Sequence, residues 1–342
     1  MTIPVLELRD LPPPPEPRPP WQHALGAAIR DPAVLLDRLD LDPGLLPAAQ
    51  HASRLFPLRV PEAFLARMRR GEPADPLLRQ VLPLGAELED LAGADDPVGD
   101  TEASRGGGVL HKYRGRALLV ATGACAVHCR YCFRRHFPYQ EANASADGWR
   151  QAIAYLEKSL DVSEVILSGG DPLTLSDRRL ASLAENLAGL PHLRRLRIHS
   201  RLPVVLPERV DDALLHWLGA SRLKLVMVIH ANHPNELDDH VGHALARLRA
   251  RGVGLFNQAV LMRGVNDDTG TLAGLSERLF ELDVVPYYLH LLDRVRGAAH
   301  FEVPEAQARA LHGELMAALP GYLVPRLVKE EPGAPAKTWI AS

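Results

Sequence analysis

The chain has 342 residues, 46% of them hydrophobic, and a formal net charge of −3; this suits one large domain, or one domain with an extension, around a real core. The near-neutral balance argues against a strongly basic nucleic-acid binder. No apolar run is long enough to cross a bilayer, so no membrane association is expected.

Residues 1–10 lack the basic-then-apolar pattern of a secretory signal, which points to a cytoplasmic protein. Residues 11–20 are rich in proline and close an extended N-terminal arm, 1–20. From Trp21 to about Leu82 apolar residues recur at helical spacing, as in Pro61-Glu62-Ala63-Phe64-Leu65-Ala66-Arg67-Met68. A polar, glycine-containing connector over 85–108 completes this helical region, 21–108, and marks a domain boundary. Beyond it, short apolar runs alternate with amphipathic segments. Strands are expected at 117–122, 164–168, 195–199, 223–229, 255–260 and 284–289, with helices at 176–190, 208–218 and 235–251. Alternation repeated about six times predicts an α/β fold, a parallel sheet with helices outside, curled by right-handed crossovers into a partial barrel. Six units are too few for the closed eight-unit form. This core spans 109–330 and leaves a short tail, 331–342.

All three cysteines fall in one eight-residue stretch, Cys125-Ala126-Val127-His128-Cys129-Arg130-Tyr131-Cys132. Three thiolates on one loop hold three irons of a cubane iron–sulfur cluster and leave the fourth open to a small chelating molecule. Two other readings stand beside it: a structural zinc site completed by His128 or His136, and a redox dithiol of Cys129 and Cys132. Zinc modules usually draw ligands from two separated pairs, and a redox dithiol leaves Cys125 unexplained. The clustering and odd number of cysteines suit a reducing compartment rather than a disulfide framework.

Active sites of such barrels lie at the carboxyl ends of the strands, and polar residues gather there. The cysteine loop follows strand one and Ser168-Gly169-Gly170-Asp171-Pro172 follows strand two. His199, Ser200 and Arg201 end strand three, and His230, Asn232 and His233 end strand four. Gln258 lies in strand five, and His290 and Asp293 follow strand six. The Gly-Gly pair permits a sharp turn and close approach to a ligand. Asp171 beside it can accept hydrogen bonds from an ammonium group, or cap the next helix, as can Ser176. His111-Lys112-Tyr113-Arg114-Gly115-Arg116 suits a phosphate or carboxylate, or is a solvated basic loop. Arg134 and Arg135, just beyond the cysteines, suit a substrate carboxylate or a surface pair. Lys337, in a Pro/Gly-rich tail, is either a surface lysine or, if buried, a Schiff-base lysine for pyridoxal phosphate (PLP).

The CxxxCxxC loop followed by Gly-Gly-Asp resembles the radical S-adenosylmethionine (SAM) superfamily, whose cores are typically six-unit partial barrels. With His111-Lys112-Tyr113, residues 125–139, Ser168-Gly169-Gly170-Asp171-Pro172-Leu173, Pro286-Tyr287-Tyr288-Leu289-His290 and Gly297-Ala298-Ala299-His300-Phe301 in order, the chain is similar to the lysine 2,3-aminomutase family, and most of all to its branch dedicated to elongation factor P. The resemblance runs from about Trp21 to Lys337, including residues 75–82. It implies a 4Fe–4S cluster on Cys125, Cys129 and Cys132. It implies SAM against Gly169, Gly170 and Asp171, helped by His230 and Gln258. PLP would sit on Lys337, with Tyr113 and Arg116 near its phosphate. Arg134 would take the carboxylate of L-lysine, and Asp293 and Glu330 its side-chain ammonium. The implied reaction turns L-α-lysine into (R)-β-lysine for a ligase acting on elongation factor P, with electrons from a flavodoxin- or ferredoxin-type reductant. Larger family members carry a C-terminal extension with cysteine ligands for zinc; this sequence ends five residues after Lys337, so that zinc site and the assembly built on it are not carried over. The competing functions are an aminomutase serving another β-lysine pathway, a radical SAM enzyme without PLP, and a zinc-stabilised binding protein without catalysis.

Overall fold

The computed structural model describes residues 19–90, 92–139 and 149–341. All but the last two residues of the expected N-terminal arm lie outside these, and Pro20 already begins a helix. Short helices come first: α1 (Pro20–Gly26), α2 (Pro32–Arg38), α3 (Leu46–Leu55), α4 (Glu62–Leu65), α5 (Pro76–Arg79) and α6 (Ala86–Glu89). Asp31 caps α2 through the N–H of Ala33, and Asp75 caps α5 through those of Leu77 and Leu78. Each cap is followed by proline at the first helical position, where its missing N–H costs nothing.

A single sheet follows, with strands in sequence order: β1 (Val109–Tyr113), β2 (Arg116–Thr122), β3 (Glu164–Gly169), β4 (Arg195–Ser200), β5 (Lys224–Ile229), β6 (Gly254–Val260), β7 (Val285–His290), β8 (Arg326–Lys329) and β9 (Thr338–Trp339). Strands β2 to β8 are parallel. The edges β1 and β9 are antiparallel to their neighbours. The six expected strands are present within about a residue at each end, joined by a seventh parallel strand and two edges. Crossovers are helical: α7 (Arg150–Lys158), α8 (Asp177–Ala188), then the single turn α9 (Leu202–Val205) and α10 (Asp212–Ala220), α11 (Asp239–Ala250), α12 (Thr269–Glu281) and α13 (Glu305–Ala318). The helices expected from 208 and 235 start four residues later. Asp211 and Asp238 are their N-caps, accepting from Leu214 N and Val241 N, and 3₁₀ turns precede them.

Strand β4 shows how the sheet divides its faces. Leu196 and Ile198 are buried beneath helices, whereas Arg195, Arg197 and His199 alternate onto the other face. Leu110, Leu118, Ile166, Arg197, Gln258 and Tyr288, from six different strands, border one cavity, so the sheet is curved around a polar interior. Strands β1 and β9 do not pair, which leaves a partial barrel.

The helical region shares one hydrophobic core with the barrel, running from Trp21 through Phe64 and Leu78 to Leu119 and Leu327. Trp21 is 1% exposed, and the fully buried Arg209 lies 4.4 Å from its ring centre. Arg209 also pairs with Asp177 at 2.8 Å and donates to the carbonyl of Leu173. Trp21→Ala should therefore cost about 3–5 kcal/mol of stability, read as a lowered urea midpoint. A loss below about 1 kcal/mol would mean that α1 is not part of the core.

Candidate active site

The cysteine loop leaves the end of β2 and is held chiefly by the N-terminal helical region. His128 N donates to Arg59 O, Arg130 N to Gln80 O, and His128 Nδ1 lies 2.8 Å from Pro57 O. Arg130, fully buried, grips Glu87 with Nε at 2.8 Å and Nη2 at 2.5 Å, and Arg135 adds a third bond to Glu87 at 2.7 Å. One buried carboxylate thus fixes the C-terminal half of the loop to α6, in charge-assisted bonds strengthened by low local dielectric.

Across the loop lies the end of β3. Gly170 N donates to Thr122 O and Asp171 N to Ala124 O, both at 2.7 Å. A Cβ on Gly170 would lie 2.4 Å from Ala124 O, and Gly169 has φ +112, so both positions require glycine. Asp171 faces away from the cavity. One of its oxygens accepts from Ser200 Oγ and Leu173 N, the other from the N–H groups of Arg201 and Leu202. Asp171 thus caps the 3₁₀ turn Pro172–Thr174 and clasps the end of β4, whereas Ser176, the N-cap of α8, makes no side-chain cap bond. Arg201 in turn donates to Cys129 Sγ while pairing with Glu236 at 3.0 Å and bonding Gln80.

The three thiols are neighbours. Burial first, then the adjacent thiols, push Cys125 well above its ordinary value and Cys132 up to about 11. Three thiolates so placed need a strongly cationic centre to become the stable form. Among the described residues no group of three His, Cys, Asp or Glu side chains forms a ready-made site for a single ion.

Phe133 and Arg134 turn from this loop into the barrel cavity, a space of about 200 Å³ also bordered by Tyr113, Arg116, His230, Gln258, Glu330 and Lys337. A chain of alternating charge runs along its wall. Lys337 Nζ meets Glu330 Oε2 at 2.6 Å. Glu330 Oε1 accepts from Lys112 Nζ at 3.2 Å and Tyr113 OH at 3.1 Å. Lys112 continues to Asp100 at 2.6 Å, Asp100 to Arg134 Nε at 2.7 Å, and Arg134 to Ser168 Oγ at 3.0 Å. Burial works against both acids, yet Lys337 and Lys112 hold Glu330 at about 2, and Arg134 and Lys112 keep Asp100 below the ordinary carboxylate range. Asp293 lies behind Glu330, bordering a neighbouring cavity rather than this one. Burial, then the charge of Glu330, push it up to about 7.

Higher in the barrel, His199, His230 and His290 each present a buried Nε2 without a hydrogen-bond partner to the same cavity. Burial lowers all three, His230 to about 4, so they are neutral imidazoles. Buried polar atoms left unpaired are costly, and three on one cavity wall mark a place shaped for a polar ligand. Lys337 Nζ also stands 5.9 Å from the Tyr288 ring centre.

Residues 119–273 match the family model described as the Radical SAM superfamily. The chain is 48% identical over 320 residues to the L-lysine 2,3-aminomutase of Escherichia coli K12, covering 93% of each. It is 46% identical over 322 residues to that of Haemophilus influenzae, covering 94% of this chain and 95% of the relative. With that of Clostridium subterminale identity is 35% over 277 residues, 80% of this chain and 66% of the longer relative. The chain belongs to the L-lysine 2,3-aminomutase family of radical SAM enzymes. Membership implies SAM and a 4Fe–4S cluster, which the three neighbouring thiols fit. It also removes the basis for a non-catalytic zinc protein.

Within this aminomutase fold, Tyr113, Arg116, Arg134, His230, Gln258, Glu330 and Lys337 all meet at one cavity. The cysteines, Gly169, Gly170 and Asp171 are not among the residues that border it, and Asp293 borders the neighbouring cavity, which shares Glu330 with this one. Sequence reasoning missed Glu87 and Asp100, which both lie in the stretch read only as a polar connector, where the structure forms α6 around Glu87. It singled out His199 and His290 only as polar strand ends, and Lys112 only as one charge of a basic stretch. No helix of the described residues is long and apolar enough to cross a membrane.

Because the folded-state value of Asp293, about 7, lies above its ordinary 3.8, the folded protein holds that proton more tightly than the unfolded chain. Its contribution is therefore present at low pH and lost as pH rises from about 4 to about 7. Asp293→Asn should flatten that slope in the unfolding free energy; identical pH profiles for both proteins would contradict the assignment.

Proposed function

We propose that this protein is a PLP-dependent radical SAM isomerase that converts L-α-lysine to (R)-β-lysine, and that the product modifies elongation factor P. The observation that carries this reading is Lys337. A tail lysine, ordinarily a solvated one, is folded back by the β8–β9 pairing into the barrel interior, beside Tyr288 and opposite the arginine that follows the cysteine loop. The cavity fits PLP: an amine to bind the aldehyde, an aromatic ring beside it, and Arg116 and Tyr113 for an anionic end. Cys125, Cys129 and Cys132 would hold the cluster, and Gly169, Gly170, His230 and Gln258 would line the SAM position.

Bound together, cluster and SAM supply a carbon-centred radical, and PLP supplies the delocalising system that lets an amino group move between adjacent carbons. The chain's own residues place and protect the reacting lysine. Arg134, fixed by Asp100 and Ser168, presents its remaining donors to the substrate carboxylate. Asp293, in the neighbouring cavity that shares Glu330, would take the side-chain ammonium reaching past Glu330, which is already engaged by Lys337, Lys112 and Tyr113. An ammonium arriving beside Asp293 favours its ionised form, whereas a shorter or uncharged side chain leaves a carboxyl without its cation. Neutral His199, His230 and His290 offer hydrogen bonds without adding charge. The enclosed barrel keeps water from a reactive intermediate.

The elongation factor P assignment is supported by the ordered motif set at 111–113, 125–139, 168–173, 286–290 and 297–301. A cytoplasmic setting with a flavodoxin- or ferredoxin-type donor accords with this reading.

Anaerobic incubation of cluster-loaded protein with L-lysine, SAM, PLP and a reductant should yield β-lysine by chromatography, and a chiral column should give the R form. Lys337→Ala should reduce the yield to background and abolish the visible band of bound pyridoxal. A wild type without that band and without β-lysine would remove the aminomutase reading. Deleting the gene should strip the β-lysyl mass from elongation factor P; an unchanged mass would remove the pathway and leave the isomerase.

A further inference from the structure

The opposite end of the barrel cavity carries an imbalance of charge of which the reading above uses only Arg116. Arg116, Glu164 and Arg195 are the first residues of β2, β3 and β4, and the strand register sets them side by side. Arg197 follows two residues on, on the same face as Arg195. Glu164 is 7% exposed and is shared: it accepts from Arg195 Nε at 2.8 Å and from Arg197 Nη2. Arg116 forms no ion pair among the described residues, and its guanidinium rests 4.5 Å from the Tyr113 ring centre. Three guanidinium groups therefore face one carboxylate, an excess of two positive charges at the amino end of the strands.

The arginines are not equivalent. The Arg195 side chain is 42% exposed and lies at the outer rim, whereas that of Arg197 is 19% exposed. Arg197 borders the cavity together with Arg116 and Tyr287. Cations gathered inside a partly enclosed space repel one another unless an anion shares it, and paired arginines match phosphate geometry through parallel N–H donors.

We infer that Arg197, oriented by Glu164, is a second phosphate-binding cation beside Arg116, and that this floor makes the barrel select a phosphorylated pyridoxal over its dephosphorylated form. The inference rests on the PLP reading and adds a specificity residue to it. Glu164 is a positioning residue: it holds Arg197 along the strand while leaving the rest of the guanidinium fork for the ligand. An elongated ligand would then lie along the barrel axis, anionic end on the arginine floor and carbonyl end toward Lys337.

The test compares PLP, pyridoxal and inorganic phosphate on the full chain stripped of PLP, following the visible band for the aldehydes and calorimetry for phosphate. Arg197→Gln should weaken PLP about tenfold or more while leaving pyridoxal unchanged, and Arg197→Lys should recover part of the loss. Inorganic phosphate should bind the wild type and bind Arg197→Gln correspondingly less. Equal losses for both aldehydes, as a purely structural role for Arg197 would give, overturn the inference, as does phosphate binding indifferent to Arg197. If neither aldehyde gives a band with the wild type but phosphate binding still depends on Arg197, the anion floor stands and the Lys337 reading falls. Arg197→Lys, which keeps the pair with Glu164, serves as the folded control should Arg197→Gln fail to fold.

Discussion

Buried charge must be answered by opposite charge, and in this barrel that requirement ties the working parts together. Asp100 sits between Lys112 and Arg134, and from that junction the alternation extends to Glu330 and Lys337 in one direction and to Ser168 in the other. Six separate stretches of chain contribute: the connector, β1, the loop after the cysteines, β3, the end of β8 and the tail. Strands β1 and β9 share no backbone ladder, so side chains bridge the gap that the open sheet leaves. Removing one member strands its neighbours without a partner in poorly hydrated surroundings, so the chain behaves as a unit and not as separable pairs.

The parts legible in the sequence are those whose signal is local. Runs such as Leu225-Val226-Met227-Val228-Ile229 announce buried parallel strands, because both faces are covered. The cysteine spacing and the Gly-Gly step are also local; the left-handed backbone explains Gly169 and the close approach of Ala124 explains Gly170. Strand β1 was hidden because His111, Lys112 and Tyr113 read as a basic loop. Strand β8 has four residues and β9 two, too few for a period to register. Glu87 and Asp100 were illegible for another reason: their partners Arg130 and Arg134 lie 43 and 34 residues away, and no pattern near either acid signals the pairing. Lys337 was legible only through resemblance, since nothing in its tail distinguishes it from a solvated lysine.

The interior differs from the layered aliphatic core of a closed eight-unit barrel. Here guanidinium groups occupy one end, neutral imidazoles the other, and tyrosines the wall between. The protein spends apolar packing on the outer face, beneath the helices, and keeps the inner face for ligands. That division explains why the inward residues of β4 look like a solvent-exposed strand although the strand is central.

The cysteine loop also imposes an order on assembly. Its nearest restraints from the helical region, Gln80 and Glu87, emerge from the ribosome before it. Arg201, which meets Cys129, and the Gly297 carbonyl that receives Arg135 emerge long afterwards. A nascent chain halted midway would display its sulfur donors on a half-tethered segment, open to oxidation and to stray metals.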